Sequence, residues 1–308
     1  VKVGGWGNLM DTVHAMGPEY SNHFKLIAPA DSTTPFAWSS VLFGLAFVLS
    51  PAYWLGNQAI VQRNLAARTE YEAKKSVLWG GFLKLFIPII LVVPGIAGVA
   101  LHSGLEKGDM IFPTLIHELL PPGLVGIVFA AFLAALISSV DSYLTSAATL
   151  WTKDIYQMFI VKNASPRHYM KVGKVLIIVF VLIGVSLAGM ASKLTSVFSG
   201  MQTMLSIFQG PLLSIILLGM LWKRATGKGA TTGLVLGVMT SSTLFWLKDG
   251  IFSAPEPFLY IAWWAFLVGF VTTVVVSLLT KPEPEEKLKG LIYTRAVEND
   301  AATEGGAA

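Results

Sequence analysis

The sequence predicts an all-α integral membrane protein with about seven transmembrane helices, and three observations support this. The composition is 54% hydrophobic and only 13% charged, with a mean hydropathy of +0.65. A soluble domain carries roughly 25% charged residues. Apolar stretches run through residues 36–59, 77–101, 123–151, 172–192, 194–221, 229–247 and 258–280. Each is near or above the ~20 residues that cross a bilayer as a helix. Lys and Arg gather in alternate loops, the pattern left by the positive-inside bias.

The basic loops can be followed in order. The first span is followed by Arg63, Arg68, Lys74 and Lys75, and the third by Lys153, Lys162, Arg167, Lys171 and Lys174. Lys223, Arg224 and Lys228 follow the fifth, and Lys281, Lys287, Lys289 and Arg295 follow the last. The intervening loops are poorer: Lys107 is offset by Glu106 and Asp109, Lys193 is alone, and Lys248 adjoins Asp249. This alternation places residues 1–35 outside, as an extracellular or periplasmic loop, and the C-terminus in the cytoplasm. The apolar piece at 110–121 is too short to span and predicts an amphipathic helix against the outer face. Residues 282–308 form a cytoplasmic tail, charged at first and then Gly/Ala-rich, with a disordered end expected.

The third span carries an unusual polar load. Ser138, Ser139, Asp141, Ser142, Thr145 and Ser146 lie where a membrane helix would otherwise be hydrocarbon. Polar groups at that depth usually face a bundle interior, a cavity or an ion path. Oxygen ligands in such a place suit a small hard cation such as sodium. Helix–helix packing through Ser and Thr is the plainer alternative, and the aspartate within the cluster favours the ion pathway.

Other spans look interrupted. The first contains Ser50-Pro51 and Gly56-Asn57-Gln58, with Tyr53 and Trp54 between them. The second carries Lys84, Pro88 and Pro94-Gly95, and the fifth carries Gln202 and Gln209-Gly210-Pro211. Proline removes a backbone donor, and broken helices near the midplane build the binding sites of secondary transporters. Lys84 lies about a turn and a half inside the cytoplasmic edge, so snorkelling toward that edge is its plainer alternative reading.

Catalytic and cofactor signatures are absent. The chain has no cysteine and no HExxH, Walker or GxSxG motif. It does not read as an enzyme, and it implies no cofactor apart from Na+ as a coupling ion.

Four long motifs carry a family resemblance. YWLGNQAIVQRNLAAR at 53–68, LKLFIPIILVVPGIAG at 83–98, AALISSVDSYLTSAATLWTKDIY at 134–156 and LLGMLWKRATGKGATTGLVLG at 217–237 resemble, in order, segments of the sodium/solute symporter family, especially its sodium/glucose branch. The resemblance implies a LeuT-type fold, built from two inverted five-helix repeats plus peripheral helices. Residues 36–222 would be the second repeat and 223–281 two peripheral transmembrane helices. The chain then reads as a C-terminal fragment whose N-terminal half, with the first repeat and the other broken helix, is missing.

The same resemblance implies particular sites. Ala135, Ser138 and Ser139 match the main sodium site, the alanine through its carbonyl and the serines through their hydroxyls. Their i, i+3, i+4 spacing puts them on one helical face. Asp141 and Ser142 hold the places of a second sodium site, where the aspartate could strengthen cation binding, take a proton or pair with a cation from the missing half. Tyr53 matches the aromatic that closes the inner side of a sugar pocket, and Gln202 a glutamine that hydrogen-bonds sugar hydroxyls. Lys84 matches a lysine near that pocket, and Asn57 matches a polar position of less defined role.

The implied function is sodium-coupled symport by alternating access, importing a small polar solute, foremost a sugar or polyol. An amino acid or small carboxylate is the alternative substrate. A channel, a sensor membrane domain or a transport-incompetent fragment are the alternatives of another class. The implied setting is the inner (plasma) membrane of a bacterial cell. The expected partners are the lipid bilayer, sodium, the solute and the missing half, and nucleic acid is not among them.

Overall fold

The structure, a computed structural model, describes residues 3–25, 27–29, 36–102, 104–105, 108–191, 196–254 and 256–293. The end of the tail that was expected to be disordered, 294–308, lies outside the described residues. Among those residues the chain is almost wholly helical. Its principal helices are α1 (Trp6–Ala15), α2 (Trp38–Gly56), α3 (Gln58–Leu65), α4 (Glu70–Lys84), α5 (Ile87–Leu101), α6 (Ile111–Leu119), α7 (Pro122–Ile160), α8 (Pro166–Ala191), α9 (Val197–Leu221), α10 (Gly227–Trp246) and α11 (Phe258–Leu279). The short helix expected at 110–121 is α6.

Six of the expected spans are long and apolar enough to cross a membrane: α2, α4 with α5 as Glu70–Leu101, α7, α8, α9 and α11. The seventh, expected at 229–247, is the 20-residue helix α10. Its buried face is made of Gly229, Gly233, Gly237 and Ser241 rather than large aliphatics, so it falls short of the apolarity of the others.

The described chain forms two units. One contains α5 to α8, and the other α2 to α4, α9 from Phe198 onward, α10 and α11. In the second unit, Val48, Leu49 and Ala52 of α2 meet Leu213 of α9 and Phe258, Leu259 and Ala262 of α11 in a buried core. Contact is close because small residues stand at the crossings. A Cβ at Gly44 would collide with the Leu259 carbonyl, and one at Gly233 would stand 2.7 Å from the Gly269 carbonyl.

In the first unit, α5 packs on α6 where Gly98 faces Ile111 and Leu115. Beyond that contact His102 Nε2 and Glu118 Oε2 stand 3.2 Å apart. α7 and α8 form a hairpin, and none of the most apolar 18-residue stretch of either helix is buried within the chain.

The prolines break helices at fewer places than the sequence suggested. Pro51 does not interrupt α2. The stretch Val41–Leu49 winds as a wider π-helix, closing with a Ser50 N–H to Leu45 O bond, and the chain resumes α-helical winding at Ser50. The break comes at Asn57, whose backbone is extended (φ −84°, ψ 106°). Pro94 and Pro211 both lie within continuous helices.

The span expected at 77–101 does break, at Leu85 and Phe86. There the amides turn back to the carbonyls of Phe82 and Leu83. Pro88 explains the site, since it has no N–H to donate to Lys84 four residues earlier.

Candidate functional site

Helix α7 begins at Pro122, a favoured residue for a first turn, and runs straight through its polar centre. At about 100° per residue, Ala135, Ser139, Ser142 and Ser146 form one narrow stripe. Ser138 widens it on one side, and Asp141 stands beyond Ser138, beside Thr145. Ala135, Ser138, Ser139 and Asp141 are exposed, Ser142 is half-buried and Ser146 is buried.

The hydroxyls of this stripe bond backward. Ser139 Oγ donates to Ala135 O at 3.0 Å, Ser142 Oγ to Ser138 O at 2.9 Å, and Ser146 Oγ to Ser142 O at 2.7 Å. A serine that donates to its own helix keeps lone pairs available on its oxygen. The stripe therefore presents oxygen acceptors, the chemistry a hard cation requires. Ala135 O and Ser139 Oγ, expected as co-ligands, are already neighbours, and two oxygens 3.0 Å apart can share one cation.

The second unit gathers the expected substrate residues unevenly. Lys84, at the last turn of α4, is brought to the aromatic pair on α2. Its Nζ stands 4.9 Å from the Tyr53 ring centroid and 4.6 Å from that of Trp54. The two rings lie edge to face, 6.4 Å apart. Lys84 is thus held over two π-faces, an attractive arrangement for a cation. The local sequence named Trp54 beside Tyr53 but gave no sign that one lysine would lie over both rings. That arrangement depends on α4 folding back past α2.

Asn57 has a local role. Its Oδ1 accepts from the Ala59 amide at 3.0 Å and caps the start of α3. Gln202 stands half-buried near the start of α9.

Sequence and structure comparisons agree with this architecture. The profile of the Sodium:solute symporter family matches residues 1–237. The Sodium/glucose cotransporter of Vibrio parahaemolyticus is 29% identical over 316 residues, covering 96% of this chain and 56% of the relative. Sodium/myo-inositol cotransporter 2 of Oryctolagus cuniculus is 33% identical, covering 85% of this chain and 43% of the relative. The chain thus spans about half the length of the curated relatives it matches.

A solved structure of a Na+-coupled sialic acid symporter, in a substrate-bound outward-open state, superposes with a TM-score of 0.68 at 23% identity. It covers 91% of this chain and 57% of that one. That likeness establishes the LeuT-type helical fold expected from the motifs. The family is one of membrane carriers rather than enzymes, and by its profile match this multi-pass membrane chain belongs to the sodium:solute symporter family.

Proposed function

We propose that this chain forms the second-repeat part of a sodium-coupled symporter that imports a small polar solute, foremost a sugar or polyol. The observation that carries the reading is the oxygen stripe of α7. Ala135 O and the hydroxyls of Ser138 and Ser139 would hold the coupling sodium. Asp141 and Ser142, one turn on, would hold a second. Tyr53, Lys84 and Gln202 would contribute to the solute pocket, with Asn57 setting the helix break beside it. The glucose and myo-inositol substrates in the relatives' names support a polyhydroxylated solute. A small carboxylate is the second reading, favoured by the ammonium of Lys84 beside Tyr53.

In the proposed organisation, residues 36–222 are the second repeat, 223–281 two peripheral helices, 1–35 an outer loop and 282–308 a cytoplasmic tail. An N-terminal half would supply the facing repeat and cover the exposed stripe of α7. The basic loops support an orientation with the C-terminus inside, in the inner (plasma) membrane of a bacterial cell. Sodium would favour the state that also binds solute, and coupling needs only that shared preference.

The test is uptake of labelled glucose and myo-inositol into proteoliposomes, with this chain co-reconstituted with the N-terminal half of a family member. Uptake driven by an inward sodium gradient and lost when potassium replaces sodium is the expected result. Solute entry that equilibrates at the same rate without sodium would replace the symporter reading with a channel.

A further inference from the structure

The end of α7 and the start of α8 enclose a cleft of ≈ 560 Å³. Thr149, Thr152, Lys153 and Gln157 line it from α7, and Tyr169 and Lys174 from α8. Thr152 is 5% exposed, and its Oγ1 has no hydrogen-bond partner among the described residues. A helical threonine ordinarily satisfies its hydroxyl on the carbonyl four residues back, and Thr152 does not. Gly173 faces it across the hairpin, where a Cβ would stand 3.7 Å from Thr152 Oγ1.

The cleft is basic and shaped. Residues 151–175 contain Lys153, Lys162, Arg167, Lys171 and Lys174 against the single acid Asp154. Among the described residues neither Lys153 nor Lys174 forms an ion pair. Lys153 Nζ stands 5.9 Å from the Tyr169 ring centroid. The Tyr169 hydroxyl is committed elsewhere, donating to Val161 O at 2.7 Å and accepting from Ala164 N at 3.1 Å. It therefore holds one wall of the cleft in place. Two ammonium groups, an unpartnered buried hydroxyl and an amide are donors awaiting several acceptor oxygens on one anion. Ile177, about a turn further along α8, continues the lining with apolar surface.

We propose that this cleft binds the phosphodiester head group of an anionic phospholipid, with Lys153, Lys174 and Thr152 on the phosphate and an acyl chain running past Ile177. Basic pockets between membrane helices on the cytoplasmic side take such head groups. The placement in that leaflet rests on the orientation proposed above, whereas the binding itself does not require transport. A failed uptake assay therefore leaves this test intact.

The experiment is native mass spectrometry of the 308-residue chain in detergent, titrated with short-chain phosphatidylglycerol, phosphatidylcholine of equal chain length, or inorganic phosphate. The expected result is retention of phosphatidylglycerol over phosphatidylcholine. Each lysine near an anionic lipid contributes about fivefold, so K153Q/K174Q should weaken retention about 25-fold. K162Q/R167Q, which removes equal charge outside the cleft, should change it less than twofold.

T152V provides an independent test if the double variant misfolds, and it should lower retention while keeping the side-chain shape. Equal retention of both lipids would overturn the proposal, as would wild-type retention by T152V or by a folded K153Q/K174Q. Displacement of phosphatidylglycerol by millimolar inorganic phosphate would instead assign the cleft to a free anion.

Discussion

Ser241 Oγ donates a 2.8 Å hydrogen bond to the carbonyl of Ile207, the acceptor left without its helical donor by Pro211 four residues on. The proline in α9 therefore opens a carbonyl that a neighbouring helix closes, and α9 remains continuous. In membrane helices a freed backbone group is tolerated where a neighbour re-satisfies it. Ser241→Ala should leave Ile207 O short of that partner and destabilise the fold by about 1–3 kcal/mol. A lowered thermal midpoint in detergent is the expected reading. Ser241→Thr, which keeps the hydroxyl, should recover part of the loss.

The α10–α11 crossing gives a larger effect. Gly233 is buried, and a Cβ there would stand 2.7 Å from the Gly269 carbonyl and also meet Thr273 Oγ1. Backbone cannot yield as a flexible side chain can. Gly233→Leu should cost at least the ~1–3 kcal/mol of ordinary overpacking, with α10 pushed off α11. Loss of monodisperse protein on size-exclusion chromatography would show it. Gly5, where nothing lies within 4 Å of a built Cβ, has a positive φ of +102° and is not a fair control. Gly126 on α7, also open, is the better one.

The order of helices and the oxygen stripe were legible in the sequence because both are local. A run of apolar residues fixes a span, and an i, i+3, i+4 pattern fixes a face. What each proline would do was not legible, because that depends on neighbours. Pro51 is absorbed by a π-helical stretch, Pro211 is compensated by Ser241, and Pro88 adjoins a break. The nearness of Lys84 to Tyr53 was legible only through the resemblance, which implies that both lie by one pocket, since nothing near position 84 in sequence specifies which ring its ammonium will meet. Asn57 was readable in part. Its place after glycine signalled a break, but its capping of Ala59 N appears only once α3 is seen to start there.

Asn57→Ala should remove that cap. An N-cap asparagine replaced by alanine costs about 1 kcal/mol. The consequence should be local fraying of Gln58–Leu65 rather than global unfolding. Faster amide exchange at Ala59 and Ile60, with the thermal midpoint nearly unchanged, is the expected outcome.

Lys84 offers a test of the solute side. Its ammonium over Tyr53 and Trp54 is worth about 0.5–1 kcal/mol in an exposed setting, too little for the fold to depend on it. Lys84→Gln should therefore leave the protein folded. In the reconstituted symporter it should raise KM for solute several-fold while sodium half-saturation stays fixed. A shift confined to sodium half-saturation would move Lys84 out of the solute pocket.

Asp141 stands at the flank of the stripe, beside Ser138 and Thr145, and is exposed on α7. Asp141→Asn keeps size and removes charge. If Asp141 serves an ion, the variant should fold and lose sodium activation or lower the number of sodium ions carried per solute. Measured charge-to-solute ratios in proteoliposomes decide it. An unfolded variant with no protein in membranes would make Asp141 structural.

The serines give the sharpest prediction. Ser139 Oγ already touches Ala135 O at 3.0 Å, and a sodium ion seated there would take both oxygens together with Ser138 Oγ. Ser138→Ala and Ser139→Ala each delete one oxygen and leave helix propensity at its best value. Both side chains are exposed, so neither change opens a cavity within the chain. A contact to a charged group is worth about 1.5–3 kcal/mol, so each variant should raise sodium half-saturation about tenfold or more. Solute KM measured at saturating sodium should move far less, because the oxygen stripe would set ion affinity and the solute pocket would be intact. Uptake that keeps its wild-type sodium dependence in the double variant would remove these serines from the ion site and return the stripe to helix packing.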